Sequence, residues 1–128
     1  MSQRSAITAP DAPEAIGPYS HAVRQGDVLY CSGQLPLDPA SGEMRDDSLA
    51  TETEQCLRNL AAVCAAAGTD LSRAVRLTIF TTKLEGFAEI NEAYGAFFDS
   101  EPPARAAVGV AALPKGVAVE IDAIVAAG

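Results

Sequence analysis

The sequence has 128 residues, of which 48% are hydrophobic and 20% are charged, a composition typical of one soluble globular domain. Its net charge of −8 arises from 17 acidic residues against 9 scattered basic ones, which argues against a nucleic-acid surface, where Lys and Arg gather. Because it has neither an apolar run of about 20 residues nor the apolar segment of a secretory signal, we expect one cytoplasmic domain over residues 1–128, without a membrane partner.

The N-terminal third is predicted to contain two short strands between irregular segments. Residues 1–18 are rich in Pro and Ala and are predicted to be extended. Two apolar runs within residues 19–33 flank Gln25-Gly26, an X-Gly pair suited to a tight hairpin turn. Residues 34–44 (QLPLDPASGEM) combine Pro, Asp, Ser and Gly, which predicts a loop.

Two helices are predicted on either side of a third strand. Apolar residues recur at helical spacing over 49–67, with N-cap chemistry at 46–48 and a C-terminal stop at Gly68. Residues 74–82 (AVRLTIFTT) alternate and are β-branched, which predicts a strand. An aromatic stripe at helical spacing predicts a second helix over 86–99, ended by Pro102-Pro103.

The last two strands are predicted to form a hairpin. The resulting order, β-β-α-β-α-β-β, predicts an α+β domain with both helices on one face of a mixed sheet. A two-residue turn at Lys115-Gly116 would place Arg105 and Glu120 on the uncovered face of the sheet. In that register the helix-covered face is formed by Val108, Val110, Val119 and Ile121.

The uncovered face is predicted to be half apolar, because Ala107, Ala111 and Ile124 also project from it. Such a face is typical of an interaction surface, and we expect further copies of the chain to cover it. From the residues alone, two interpretations of Arg105 and Glu120 remain open. They form an ion pair at the interface, or Arg105 binds the carboxylate of a small organic acid in bidentate fashion.

Five segments of the chain resemble the RidA (reactive intermediate deaminase) proteins in order and spacing. They are IGPYSHAV (16–23), CSGQLPLDPASGE (31–43), NEAYGAFF (91–98), PPAR (102–105) and LPKGVAVEIDAI (113–124). Each segment alone is a weak signal, but the five together are specific and span nearly the whole chain. The resemblance implies a chorismate-mutase-like fold and a homotrimer with three clefts between subunits. It also implies hydrolysis of 2-imino acids, released by pyridoxal-phosphate enzymes or amino-acid oxidases, to 2-oxo acids and ammonia.

The resemblance implies roles for individual residues as well. Arg105 would hold the substrate carboxylate, and Glu120 would orient and activate the water that attacks the imine carbon. Tyr19 would line the cleft, Gly33 would offer its backbone N–H to the ligand, and Ser32 would adjoin it.

Asn91 matches an asparagine near the cleft. Its spacing alone places it on an aromatic helical face, where a buried amide must find partners, so both a ligand-binding and a structural role stay open. Ala107 stands where many members carry a cysteine and would act through its backbone, whereas Gly109 stands where a Glu is common. His21 replaces a frequent Gln and is predicted to be exposed.

The sequence predicts neither a metal site nor an organic cofactor. The three cysteines (Cys31, Cys56, Cys64) are unclustered and are predicted to be reduced, buried and without a nucleophilic role. The glycines of residues 32–42 lack the lysine and spacing of a phosphate-binding loop. The competing predictions are a non-catalytic binder of 2-oxo acids or other carboxylates, and a ribonuclease or chaperone-like role. The acidity argues against the ribonuclease.

Overall fold

The computed structural model describes residues 3–128, which form six strands and two helices. In chain order the elements are β1 (Arg4–Ile7), β2 (Ala22–Gln25), β3 (Val28–Gln34), α1 (Leu49–Ala66), β4 (Ala74–Thr81), α2 (Phe87–Gly95), β5 (Ala104–Gly109) and β6 (Val119–Ala126). The predicted order is confirmed, with β1 as an additional strand inside the segment predicted to be extended. Residues 1 and 2 of that segment lie outside the described residues.

Helix α1 begins and ends where its sequence predicts. The Ser48 hydroxyl accepts a hydrogen bond from the Thr51 backbone N–H (3.0 Å), which caps the first turn. Gly68 follows the C-cap with a φ of +81°, a conformation that favours glycine. Neither helix of the described chain has the length and apolarity needed to cross a membrane.

The six strands form one mixed sheet in the order β1-β2-β3-β6-β4-β5. Strands β4 and β5 are parallel, and all other neighbours are antiparallel. Both helices pack on one face, where alternate strand residues such as Leu77, Ile79, Val119 and Ile121 are fully buried. The predicted α+β architecture with two helices on one face is therefore confirmed.

The predicted hairpin of the last two strands is wrong. Strand β4 lies between β5 and β6, and the Lys115-Gly116 turn belongs to the connection that passes over it. Because Leu77 of β4 pairs with Arg105, the Arg105 side chain points to the helix-covered face. Val108 pairs with Phe80 and is 40% exposed on the opposite face. Alternation within each strand predicts its two faces but does not identify its neighbour, which is why the sequence suggested a hairpin.

Two predicted boundaries shift. The first hairpin turns at Gly26-Asp27, because Gln25 pairs with Val28, and Gly26 adopts a φ of +60°. Helix α2 ends at Gly95 rather than at residue 99, so Phe97 and Phe98 of the aromatic stripe lie beyond it. Neither shift alters the layers of the domain.

His21 is buried rather than exposed. Its Nδ1 accepts a hydrogen bond from the Ala9 N–H (2.9 Å), and its Nε2 donates to the Pro13 carbonyl (2.8 Å). Both partners are backbone atoms of the N-terminal segment, so no side-chain pattern in the sequence predicts these hydrogen bonds. His21 thereby ties this segment to β2.

The three cysteines are free and buried, as predicted. Burial raises the pKa of the Cys56 thiol well above its usual range. Its Sγ lies 3.6 Å from the Val119 carbonyl, inside the interface between α1 and β6. Cys56 is therefore a packing residue of the core.

No helix of residues 3–128 covers the second face of the sheet. Glu120, Asp122 and Ile124 project from β6 onto this face, where Ile124 pairs with Tyr30 of β3. Tyr30 is 50% exposed there. The face therefore combines carboxylates with exposed apolar surface, and its β6 residues are those predicted to lie on it.

Candidate functional site

One group of predicted site residues meets where β3 runs beside β6. Tyr19, Ser32, Gly33 and Glu120 line a cavity of about 230 Å³, termed here the Glu120 cavity. The remaining lining residues are Ile16 and Leu35. Four residues predicted from separate sequence segments are thus brought together by the fold.

A β-bulge shapes the floor of the Glu120 cavity. Cys31 pairs with Ala123 and Gln34 with Ile121, so β3 has one residue more than β6 in this interval. Ser32 and Gly33 lie in the bulge, where the regular ladder to β6 is interrupted. A bulge re-aims side chains and frees backbone groups, which makes the floor suitable for contacting a ligand.

Gly33 makes room for the carboxylate of Glu120. A Cβ atom at position 33 would overlap the Glu120 side chain. Glycine at this position therefore allows the carboxylate to lie directly against the backbone of β3.

The environment of Glu120 raises the pKa of its carboxyl above that of a glutamate in water. The side chain is half-buried, and burial raises its pKa. The neighbouring Asp122 carboxylate raises the pKa further, because two negative charges on one strand face repel each other. Glu120 is consequently a stronger base, when ionised, than an exposed glutamate.

Ser32 holds the segment that carries Tyr19. The Ser32 hydroxyl donates to the Ser20 carbonyl (2.7 Å), and its N–H donates to the His21 carbonyl (3.0 Å). The Tyr19 hydroxyl accepts a hydrogen bond from the Ile16 N–H (3.4 Å), so Tyr19 closes a small loop beside the cavity. Ser32 thus has a supporting role that the sequence did not predict.

Arg105 lies in a second cavity, formed against α2. Its Nη1 donates to the Asn91 Oδ1 (2.7 Å), and its guanidinium carbon lies 4.9 Å from the centre of the Tyr94 ring. This cavity of about 430 Å³, termed here the Arg105 cavity, is lined by Asn91, Tyr94, Gly95, Phe98, Pro102, Pro103 and Arg105. Asn91 is exposed rather than buried, but it does find a hydrogen-bond partner, and that partner is Arg105.

Arg105 and Glu120 do not share a face, which corrects the predicted register. Arg105 pairs with Leu77 on the helix-covered side, whereas Glu120 pairs with Phe80 on the uncovered side. Within residues 3–128 the ion pair found is Glu54–Arg58 (2.7 Å), on the surface of α1. The described part of the chain therefore contains no Arg105–Glu120 ion pair, and the two residues line separate cavities.

Two of the three positions that depart from the family pattern, Ala107 and Gly109, lie on β5. Ala107 pairs with Ile79, so it lies on the helix-covered side of the sheet and not on the uncovered face where it was predicted. It is exposed on the edge strand, outside the linings of both cavities. At Gly109, a Cβ would lie 3.2 Å from the Leu84 side chain, so a larger residue would have to displace it. The edge position is compatible with a backbone role for Ala107.

Sequence reasoning missed Ile16 and Leu35 as lining residues of the Glu120 cavity, and Tyr94 as a contact of Arg105. Ile16 belongs to the IGPYSHAV segment that also carries Tyr19, and this adjacency was the available signal. Tyr94 follows Asn91 by three residues, a spacing that places both on one side of a helix.

Comparisons with known proteins agree with this fold. A family model described as endoribonuclease L-PSP matches residues 9–127. A protein called "RutC family protein y4sK" from Sinorhizobium fredii is 52% identical over 119 residues, covering 93% of this chain and 94% of the relative. The 2-iminobutanoate/2-iminopropanoate deaminase of Bos taurus is 45% identical over 125 residues, covering 98% of this chain and 91% of that protein.

A solved structure extends the likeness to three dimensions. RidA from an Antarctic Psychrobacter species superposes with a TM-score of 0.90 at 46% identity, covering 95% of this chain and 98% of that one. Because the family model and these relatives span nearly the whole sequence, the chain belongs to the endoribonuclease L-PSP family, which includes the RidA proteins.

Proposed function

We propose that the protein hydrolyses 2-imino acids and their enamine tautomers to 2-oxo acids and ammonia in the cytoplasm. The observation that carries the proposal is Arg105, an exposed cation that has no carboxylate partner within residues 3–128. A guanidinium with free N–H groups matches a carboxylate in bidentate geometry. Relatives named 2-iminobutanoate/2-iminopropanoate deaminase support this substrate class.

A complete site requires two copies of the chain. Arg105 and Glu120 point to opposite faces of one sheet, so a substrate of a few carbon atoms cannot reach both in one protomer. Strand β5 lies at the edge of the sheet, which places Arg105 at the periphery. The uncovered face, with Tyr30, Val108 and Ile124, offers the surface for association. We propose a homotrimer in which the Arg105 cavity of one subunit adjoins the Glu120 cavity of the next.

The proposed reaction requires only substrate positioning and proton transfer from the protein, because an imine is already electrophilic. Arg105 binds the carboxylate, and Asn91 orients the guanidinium. The imine reacts in its protonated form. Ionised Glu120 accepts a proton from water as the water oxygen bonds to the imine carbon and the C=N π electrons move to nitrogen, which gives a neutral carbinolamine. Glu120 then donates this proton to the amino nitrogen, the C–N bond breaks as ammonia leaves, and the hydroxyl proton passes through Glu120 to the ammonia, which leaves the 2-oxo acid and ammonium. Positioning and proton transfer by side chains complete this reaction.

The backbone and the tyrosine complete the proposed cleft. The bulge at Ser32 and Gly33 offers backbone groups near the reacting carbon, and Tyr19 forms a wall of the same cavity. Ala107 contributes backbone only, from the edge strand opposite.

The experiment is to generate a 2-imino acid with an amino-acid oxidase and to follow imine decay with and without the protein. We expect the protein to accelerate decay. Arg105→Ala should lower kcat/KM about a hundredfold, because a charge-assisted hydrogen bond contributes roughly 1.5–3 kcal/mol. Arg105→Lys should recover little, since a point charge cannot reproduce the planar fork. Decay at the uncatalysed rate with the parent protein would refute the proposal.

A non-catalytic carboxylate-binding protein is the second candidate. The Arg105 cavity lies within one protomer and could bind a 2-oxo acid without Glu120. Binding of 2-oxobutanoate by a parent protein that leaves imine decay unchanged would favour this candidate. Ribonuclease activity is less well supported, because the net charge of −8 opposes phosphate binding.

A further inference from the structure

Three residues of α2 contact the Arg105 guanidinium from one side of the helix. Phe87, Asn91 and Tyr94 are spaced by four and three residues, so they share that side. The guanidinium carbon lies 5.2 Å from the centre of the Phe87 ring and 4.9 Å from the centre of the Tyr94 ring. The Asn91 oxygen accepts from Nη1 at 2.7 Å.

All three of these contacts are made by uncharged groups. An arginine is often held by a carboxylate, which neutralises it, whereas aromatic faces and an amide oxygen attract the cation and leave its charge intact. In the described part of the chain, no Asp or Glu oxygen lies within 4.0 Å of Arg105. The full positive charge therefore remains available to a ligand.

The single hydrogen bond also selects which edge of the guanidinium stays free. Arginine has five N–H donors, and Asn91 engages one of those on Nη1. The Nε–Nη2 edge keeps two parallel N–H groups, the arrangement that binds a carboxylate side-on.

We propose that Phe87, Asn91 and Tyr94 form a charge-neutral clamp that positions Arg105 with its Nε–Nη2 edge free for the carboxylate of the ligand. The proposal rests on the proposed function in one respect, namely that the ligand is the 2-imino acid substrate or its 2-oxo acid product. The three residues act through Arg105 and are positioning residues.

The Tyr94 hydroxyl takes no part in the clamp. It is buried and has no hydrogen-bond partner among residues 3–128. Burial raises its pKa even though Arg105 opposes the rise, so the phenol remains neutral. The ring is therefore the part of Tyr94 that matters, and phenylalanine can supply it.

Asn91→Asp tests the neutrality of the clamp. The substitution keeps the shape of the side chain but places a carboxylate 2.7 Å from Nη1, where it pairs with the cation. Calorimetric titration with 2-oxobutanoate should show at least a roughly tenfold loss of affinity, because the ligand must compete with an ion pair. Ala88→Asp, which adds the same charge to the outer side of α2, should change the affinity less than about twofold. Equal affinity of Asn91→Asp and the parent would overturn the proposal.

A pair of Tyr94 variants tests the ring. Tyr94→Leu should raise KM for the imine several-fold while kcat changes little, because carboxylate binding weakens and the proton transfer at Glu120 does not. Tyr94→Phe should restore KM to near the parent value. If Tyr94 had only a structural role, Tyr94→Leu would lower the melting temperature but would not raise KM while leaving kcat unchanged. If both variants keep the parent KM, the clamp is refuted.

The binding and kinetic measurements separate this inference from the proposed function. If the parent binds 2-oxobutanoate but does not accelerate imine decay, the proposed activity is refuted, and the Asn91→Asp titration still tests the clamp. If turnover depends on Arg105 but is unchanged by Asn91→Asp, the proposed activity is supported and the clamp is refuted. A parent that does not bind 2-oxobutanoate at millimolar concentration would overturn the clamp.

Discussion

At the scale of single residues, the Glu120 cavity depends on Gly33 having no side chain. Position 33 lacks a Cβ, and the Glu120 carboxylate occupies the space that a Cβ would need. Gly33 therefore contributes to the site both through its backbone in the bulge and through the volume it leaves free. The two contributions can be separated by substitution.

Gly33→Ala should lower kcat about tenfold or more by displacing Glu120 from its position against β3, since small misplacements of a catalytic group are costly. The displaced atoms are the end of a flexible side chain, so the fold should persist and the melting temperature should change little. In a Glu120→Gln background, the same substitution should have a much smaller further effect on kcat. Fully multiplicative losses in the double variant would show that Gly33 does not act through Glu120.

The raised pKa of Glu120 predicts a pH dependence of activity. Glu120 must be ionised to accept a proton, so kcat/KM should fall as the pH drops through a pKa higher than that of an ordinary glutamate. Asp122→Asn removes the neighbouring negative charge and should shift this acidic limb to lower pH. The limb should be absent from the pH profile of Glu120→Gln, and its persistence there would assign it to another group.

Much of this residue chemistry could be predicted from the sequence, but its arrangement could not. The resemblance assigned Tyr19, Ser32, Gly33 and Glu120 to the cleft, and these four residues line one cavity. It could not show that Arg105 lies on the other face of the sheet, because that depends on which strand lies beside β5. The contacts of His21 were equally hidden, since both of its partners are backbone atoms.

At the scale of elements, α1 is connected to the beginning of β6 by a buried carboxylate. Glu52 Oε1 accepts hydrogen bonds from the N–H groups of Ala118 (2.8 Å) and Val119 (3.1 Å). These two residues immediately precede Glu120, so the first turn of α1 fixes the strand that carries the proposed base. The local sequence predicted α1 and its caps well, but this contact spans 66 residues of chain and leaves no local signal.

Glu52→Ala should reduce the free energy of unfolding by about 2 kcal/mol, because it leaves two largely buried N–H groups without an acceptor. Glu54→Gln, an exposed position in the same helix, should cost less than about 1 kcal/mol. Chemical denaturation monitored by circular dichroism measures both values. Equal stability of the Glu52 variant and the parent would show that water replaces the carboxylate.

The pKa of Glu52 gives this contact a defined pH dependence. Burial raises the pKa in the folded chain, although the two N–H groups oppose the rise. The folded state therefore binds the proton more tightly than the unfolded state does, and the free energy of unfolding falls as the pH rises between the two pKa values. Glu52→Gln should remove this slope, so its stability relative to the parent should increase with pH across that window. A parallel pH dependence of the two proteins would contradict the assignment.

At the scale of the whole molecule, the proposed site joins two subunits, so the proposal predicts that activity requires a trimer. Light scattering should give a mass three times that of the 13.2 kDa chain, and a monomer at micromolar concentration would rule out the trimer. The prediction follows from the uncovered sheet face and from the position of Arg105 on an edge strand.

Mixed trimers provide the sharper test of the shared site. Arg105→Ala and Glu120→Gln should each be nearly inactive as homotrimers. Subunits of the two variants, co-refolded at equal amounts, should recover about a quarter of the parent activity, because one random neighbour pair in four joins an intact Arg105 to an intact Glu120. Activity no higher than the mean of the two separate variants would place both residues in the same subunit's site.

The central position of β6 in the sheet has a consequence for how the chain folds. The strands β1, β2 and β3 form one ladder and β4 and β5 form another, and the two ladders are joined through β6 alone. Until β6 inserts, β3 and β4 each expose an unpaired strand edge, which is the surface through which nascent chains associate wrongly. The β3–β6 pairing also closes a long loop, and such non-local pairing slows folding. Substitutions that weaken β6 should therefore lower the yield of soluble protein before they affect the stability of the protein that does fold.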